Sequence, residues 1–159
     1  MSFRIGTGFD VHRLKPGDGL FLGGYFIKEA MSLIGHSDAD VILHALTDAL
    51  LGALGERDIG FYFSDKESIN YRRDSRDFVT FAINKMNENG YKIENIDVVV
   101  ICEKPKINTY HAEILKSLAT ILNVELSQIG LKGKTTEKLG FTGREEGIAV
   151  QCVLLLSRK

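Results

Sequence analysis

The chain has 159 residues, of which 44% are hydrophobic and 26% charged, with a formal net charge of −1 at pH 7. That is enough apolar material for one domain, residues 1–159, with a real core. The near-neutral balance of scattered basic residues argues against nucleic acid as a partner. The two cysteines, Cys102 and Cys152, lie inside apolar runs and read as buried thiols of a reducing compartment. No apolar run is long enough to span a bilayer, and no signal or transit peptide is visible, so a cytoplasmic chain with no membrane partner is expected.

Phe3 to His12 predicts a first strand. By the two-residue period, Phe3, Ile5, Phe9 and Val11 share one face, and Gly6, Gly8, Asp10 and His12 the other. KPGDGL is a turn by composition. Leu20 to Ile27, with Gly23-Gly24 at its centre, predicts a hairpin. Ala30 to Gly35 reads as a lead into the central helix, HSDADVILHALTDALLGALG (36–55). That helix is apolar almost all round, and such a helix is buried. Ser37, Asp40, His44, Thr47 and Asp48 interrupt it and are expected to form one polar row facing a metal and phosphate site. Ser37 reads as the N-cap and Asp40 as its capping-box partner at N3.

The next segment, ERDIGFYFSDKESINYRRDSR, has no clean period and is rich in aromatics. It is expected to form a mobile flap over the site. Asp74 or Ser75 caps a second helix running to Asn89, with Phe78, Val79, Ala82, Ile83 and Met86 inward and Gly90 as its terminator. Ile96 to Cys102 predicts a strand buried on both faces. Asn108 to Leu122 predicts a third helix, with His111 near its start, on the surface and without function. Ile129 to Lys134 and Ile148 to Leu156 predict the last two strands. Together these give an α+β layered domain: a mixed four-stranded sheet with helices on one face. The aromatic outer face of the first strand predicts a homo-oligomer packed sheet to sheet.

By itself His44 is an ordinary core histidine. Asp10 and His12, side by side at a strand end, change that, because two histidines and one carboxylate are a catalytic Zn²⁺ composition with one position left open. Manganese or iron would also fit, whereas the absence of thiolates argues against Cu(I) and Fe–S. Lys132, Lys134, Thr135, Thr136, Lys138 and Arg144 supply phosphate donors, and Glu137 could hold a harder cation such as Mg²⁺. The same stretch also reads as a loop with a helical turn capped by Thr135 or Thr136. Two cations among hydroxyl and cationic donors point to phosphoryl transfer, with His36 and Ser37 placed to stabilise the transferring group.

These residues resemble the 2-C-methyl-D-erythritol 2,4-cyclodiphosphate synthases of the methylerythritol phosphate route to isoprenoid precursors. The resemblance rests on GFDVH (8–12), HSDADVILHALTDALLGA (36–53), DIG (58–60), DSR (74–76) and KTTEKLGFTGREEGIA (134–149), five blocks in order along the chain. It implies a substrate, 4-diphosphocytidyl-2-C-methyl-D-erythritol 2-phosphate, whose 2-phosphate attacks the β-phosphorus so that CMP leaves and a cyclic diphosphate forms. It also implies that Asp10, His12 and His44 hold Zn²⁺ or another divalent transition metal, and that Glu137 holds Mg²⁺ or Mn²⁺ on the diphosphate.

Further roles follow from the same resemblance. His36 and Thr135 match positions that stabilise the transition state. Ser37, Asp58, Ile59 and Gly60, with Phe63, Ser64, Asp65, Lys66 and Glu67, match the methylerythritol-phosphate pocket. Cys102, Pro105, Lys106, Ile107 and Asn108, with Lys134, Thr135 and Thr136, match the cytidine pocket. A homotrimer with active sites between subunits is implied, and Phe9, Phe141 and Arg144 match the lining of a central cavity that can hold isoprenoid diphosphates. Two stretches depart from the family pattern: Ser64 stands where many relatives have proline, and Glu103 and Lys104 bring charge to the cytidine loop. The competing readings are a metal-dependent phosphatase or phosphodiesterase, which would direct water at the same phosphorus, and a non-catalytic trimer that binds a nucleotide or isoprenoid diphosphate.

Overall fold

Two glycines decide where the first strand lies. A computed structural model describes residues 2–159. In it β1 (Phe3–Pro16) runs directly under the backbone of α1 (Val41–Ala53). A Cβ on Gly6 would stand 1.8 Å from the carbonyl oxygen of Ala49, and one on Gly8 1.8 Å from that of Ala45. No side chain fits there, so the bare positions let helix and strand backbones touch. The opposite face carries Phe3, Ile5, Phe9 and Val11, all exposed, with Ile5 at 73%. The predicted division of the strand into two faces is therefore observed.

The sheet has five strands, in the order β4-β1-β7-β5-β6. β7 (Gly147–Arg158) is central and pairs antiparallel with β1 and with β5 (Tyr91–Ile101). β6 (Ile129–Lys134) pairs parallel with β5 through the crossover helix α4 (Ile107–Leu122). The fifth strand is β4 (Met31–Ile34), which pairs antiparallel with the end of β1 and corrects the expected count of four. It is four residues long, with no alternation to separate it from a loop, and β1 extends to Pro16 to meet it. β5 also departs from expectation. It alternates buried and half-exposed residues instead of being buried on both faces, because helices cover only one side of the sheet.

The hairpin β2 (Leu20–Leu22) and β3 (Tyr25–Ile27) forms where predicted. Its turn has a structural partner that the sequence did not reveal. Asp40, not Ser37, is the N-cap of α1, and its fully buried carboxylate accepts from Ile42 N and Leu43 N at 3.1 Å each. It also accepts from Gly23 N at 2.9 Å and Gly24 N at 2.6 Å. Burial pushes this carboxyl up, and the N–H groups of Gly24, Leu43 and Gly23 pull it back. Burial prevails on balance, yet four backbone donors converge on the carboxyl, three on Oδ1 and one on Oδ2, an arrangement that rewards an acceptor on both oxygens.

α3 (Ser75–Glu88) is capped by Asp74 and ends before Gly90 at φ +73°. It buries Phe78, Val79, Ala82 and Met86 against α1 and its surroundings. His111 is half-buried and contacts Leu131 O at 3.1 Å, a tie between α4 and β6 and not the surface residue expected. Both cysteines are buried free thiols, and burial pushes each up to about 12. Among the described residues, no helix is long and apolar enough to cross a membrane.

Asp40→Asn is predicted to destabilise the fold by about 2–4 kcal/mol in urea unfolding, because the amide NH₂ would oppose backbone donors in a dry site. Were the carboxyl held neutral, this near-isosteric change would cost little.

Candidate metal centre and adjoining pockets

Asp10 and His12 leave β1 on the glycine face, beside the first turns of α1 that carry His44. Their donor atoms and one from His44 lie within 4.8 Å of one another, the one such group of three among the described residues. Asp10 Oδ2 stands 3.1 Å from His44 Nδ1 and 3.3 Å from His12 Nδ1, and the two imidazole rings meet edge to face at 4.9 Å. His12 Nδ1 also lies 2.8 Å from Val11 O. The three side chains are partly buried, with a borderline donor set of two nitrogens and one carboxylate, and no thiol lies among them. That composition fits a divalent transition metal with an open position.

The expected polar row of α1 does not converge as a unit. Only His44 faces the metal site from the helix proper. Asp40 turns to the hairpin. Thr47 is fully buried and donates to Leu43 O at 2.7 Å. Asp48 accepts from Ile59 N at 2.7 Å, so it tethers the DIG segment to the helix. Burial pushes the Asp48 carboxyl up, opposed by that N–H and reinforced by the charges of Asp58 and Asp10. A helical wheel places residues on an arc, but neighbouring elements decide what each one meets.

A cavity of about 170 Å³ opens beside the cluster, lined by His12, His36, Ser37 and His44 on one side and Ile59, Gly60, Phe63 and Asp65 on the other. His36 Nε2 is buried there with no hydrogen-bond partner, its ring edge-on to Tyr71 at 5.4 Å. An unpaired buried nitrogen costs roughly 1–3 kcal/mol, which a ligand would recover. The aperiodic segment above holds two short helical turns, α2 (Ile59–Tyr62) and Ser68–Asn70. Asp58 caps α2 through Phe61 N at 3.0 Å, so its carboxylate is already engaged. Phe63 packs on Phe78 at 4.7 Å, and Asn70 donates to Ser64 O at 2.9 Å. Ser64, Lys66 and Glu67 do not line this cavity, although they border the residues that do.

A second pocket, of about 160 Å³, gathers Cys102, Pro105, Lys106, Ile107 and Asn108 with Gly133, Lys134 and Thr135. The predicted cytidine residues therefore come together, around a cis Lys104-Pro105 bond and the start of α4. Lys106 caps α4 without a side-chain bond, leaving first-turn N–H groups for a ligand. Thr136 lies outside, committed to Leu139 O at 2.6 Å and Thr142 Oγ1 at 2.9 Å. Glu137 accepts from Thr135 Oγ1 at 2.9 Å and so stands on this pocket's rim, not in the metal cluster. The extra charges of the loop turn away from the pocket: Glu103 accepts from Lys138 N at 3.3 Å, and Lys104 pairs with Glu145 at 3.3 Å. Within one chain, then, His36 and Thr135 line different pockets.

Phe9 and Phe141 are exposed, and Arg144 is forked onto Glu146 at 3.0 and 3.2 Å. Sequence reasoning missed Asp38 and Ser75. Ser75 Oγ lies 2.8 Å from His44 Nε2, and Ser37 Oγ lies 3.0 Å from the same nitrogen. The only sequence signal for Ser75 was its place in a capping stretch, which explains a serine there without any site.

The fold and donor cluster define an α+β protein with a candidate divalent-metal centre and two adjoining polar pockets. Comparison with known proteins narrows this. The model of the YgbB family matches residues 3–157, and the chain belongs to that family. It is 49% identical over 156 residues to the 2-C-methyl-D-erythritol 2,4-cyclodiphosphate synthase of Aromatoleum aromaticum, covering 98% of this chain and 94% of that protein. Among solved structures it is similar to the CDP complex of Plasmodium falciparum IspF, with a TM-score of 0.88, 39% identity, and 99% and 97% of the two chains covered. It is also similar to the bifunctional IspDF of Campylobacter jejuni, with a TM-score of 0.94 and 37% identity, over 99% of this chain and 43% of that one.

In equilibrium dialysis against Zn²⁺, the chain should bind one equivalent tightly. His44→Ala should weaken that binding by at least about 100-fold, because a two-ligand remnant cannot close the coordination sphere.

Proposed function

We propose that the chain converts 4-diphosphocytidyl-2-C-methyl-D-erythritol 2-phosphate to 2-C-methyl-D-erythritol 2,4-cyclodiphosphate and CMP, as a phosphorus–oxygen lyase of isoprenoid precursor biosynthesis. The observation that carries this reading is the meeting of Asp10, His12 and His44 donor atoms within 4.8 Å beside a cavity holding an unpaired His36 nitrogen, in a chain of this family. In the reaction an oxygen of the 2-phosphate bonds to the β-phosphorus, and the bond from that phosphorus to the bridging oxygen breaks. The electron pair departs with CMP.

Asp10, His12 and His44 would hold the transition metal, Zn²⁺ in this reading, and Glu137 a Mg²⁺ or Mn²⁺; bound, these ions supply charge neutralisation and a template for phosphate oxygens. The chain's own residues do the rest. His36 Nε2 can bond an oxygen of the transferring phosphoryl group, where charge builds in the transition state. Ser37 and the backbone N–H of Gly60 grip the polyol phosphate, with Ile59 held in place by Asp48. Phe63, packed at a tilt on Phe78, keeps water from competing with the internal nucleophile. The uncapped start of α4 and Lys134 receive the cytidine half, and Thr135 can swing its hydroxyl from Glu137 to the phosphate chain. Most of the catalytic effect is positioning and neutralisation, as phosphoryl transfer requires.

His36 and Thr135 line separate pockets in one chain, and a site in which pockets of neighbouring subunits adjoin would offer both to one substrate. The exposed row of Phe3, Ile5 and Phe9 supports packing of sheet faces between copies. A homotrimer with active sites at its three interfaces satisfies both observations, and its axis would gather Phe9, Phe141 and Arg144 around a cavity suited to an isoprenoid diphosphate.

Phosphorus NMR of the reaction mixture should show a cyclic diphosphate and CMP, with CMP release abolished by chelator and restored by Zn²⁺. Linear phosphates would mean hydrolysis instead, and no CMP at all would leave only a binding protein. Mixing inactive His44→Ala with inactive Lys134→Ala, after dissociation and reassembly, should restore activity in about a quarter of sites, because a randomly mixed ring pairs intact halves at that frequency. Two variants that stay silent when mixed would place each site within a single chain.

A further inference from the structure

Behind His44, on the side away from Asp10, a second carboxylate waits one hydroxyl away. Asp38 accepts from Ser75 N at 3.0 Å and from the Ser75 hydroxyl through a short bond. Ser75 Oγ in turn lies 2.8 Å from His44 Nε2. Asp38 is itself fixed: its N–H donates to Arg73 O at 3.1 Å, and its Oδ1 accepts from Asp40 N at 3.1 Å. Ser75 is fully buried at the first residue of α3, whose cap is supplied by Asp74 and not by Ser75. The Ser75 hydroxyl is therefore not needed to start its helix.

Donor accounting fixes the roles. Ser75 has one hydroxyl proton, and the Asp38 carboxylate can only accept, so that proton goes to Asp38. Toward His44, Oγ then offers a lone pair, which a ring hydrogen on Nε2 satisfies together with Ser37 Oγ, 3.0 Å from the same nitrogen. A neutral imidazole with hydrogen on Nε2 has its lone pair on Nδ1, the nitrogen facing Asp10 Oδ2 at 3.1 Å. At that separation the two lone pairs repel unless a proton or a metal ion lies between them, and the converging His12 nitrogen favours the metal.

We infer that Ser75 and Asp38 are positioning residues for the metal site, a carboxylate–hydroxyl–imidazole relay that sets the tautomer and tilt of His44 and raises its strength as a ligand. The inference rests on the metal reading above. It gives α3, which contributes no ligand, a direct part in holding the ion. It also ties the site to the end of the overlying segment, since Arg72 N donates to His36 O at 2.8 Å immediately before Asp38 and Ser75 join. Partners of this kind typically carry a 10–100-fold share of metal affinity.

The test compares Zn²⁺ affinity by chelator competition for wild type, Ser75→Ala, Asp38→Asn and the double variant, at a temperature where circular dichroism shows each metal-free chain folded. Ser75→Ala should lose about 10- to 100-fold in affinity, and its Co²⁺ derivative should show a shifted visible spectrum. Asp38→Asn should lose affinity in the same direction. The double variant should bind no more weakly than Ser75→Ala alone, because groups acting in series are not additive. If Ser75→Ala fails to fold, Asp38→Asn, which keeps an oxygen for Ser75 N, carries the comparison. A folded Ser75→Ala chain within about twofold of wild type, or losses that multiply in the double variant, would overturn the relay and leave Ser75 a structural residue. A wild-type chain that binds no Zn²⁺ would instead remove the metal reading on which the relay stands.

Discussion

The structure depends on one close approach, that of α1 to β1 at Gly6 and Gly8. With no Cβ at these positions, the carbonyls of Ala45 and Ala49 rest against the strand backbone. Two residues beyond Gly8 comes Asp10, then His12, and one residue before Ala45 comes His44. The candidate metal site is thus the open end of a helix–strand contact. Its dimensions are set by backbone packing and not by the flexibility of long side chains. A site on two rigid elements holds its donors within narrow limits, which catalysis by positioning demands.

Around that contact, polar groups that look functional in the sequence divide into two sorts. Asp40 and Thr47 are spent on the fold: one gathers the hairpin turn onto the start of α1, and the other bonds back within its own helix. Asp48, Asp38 and Ser75 stand a step behind the site and hold its walls. Among the described residues, His36 alone keeps a buried side-chain nitrogen unpaired. Buried polar groups are nearly always satisfied, so the exception marks where a ligand belongs better than any count of charges does.

The two pockets explain why a single chain looks incomplete. One has the metal donors and the histidine; the other has the lysine, the hydroxyl and the free helix start. The sheet face that carries no helices is apolar and exposed along β1. The proposed homotrimer would cover that face and bring the second pocket of one copy to the first pocket of another, which would tie its stability to the completeness of the site.

The sequence by itself determined the elements with strong periods and the members of the converging donor cluster. The β1 faces, the hairpin, α3 with its Asp74 cap and Gly90 stop, α4 and β6 were legible because hydrophobic spacing and turn chemistry are local properties. Asp10, His12 and His44 were legible because a strand's period of two and a buried helix limit where side chains can point, and the family resemblance supplied the rest. Only tertiary structure decided the fifth strand β4, whose few residues carry no pattern and gain identity from the β1 edge they pair with. It also decided that Asp40 serves the hairpin, that Glu103 and Lys104 turn away from the second pocket, and that Ser75 and Asp38 stand behind His44. Each of these depends on which side chain lies opposite across tens of residues of chain, and that is fixed by packing, not by local sequence.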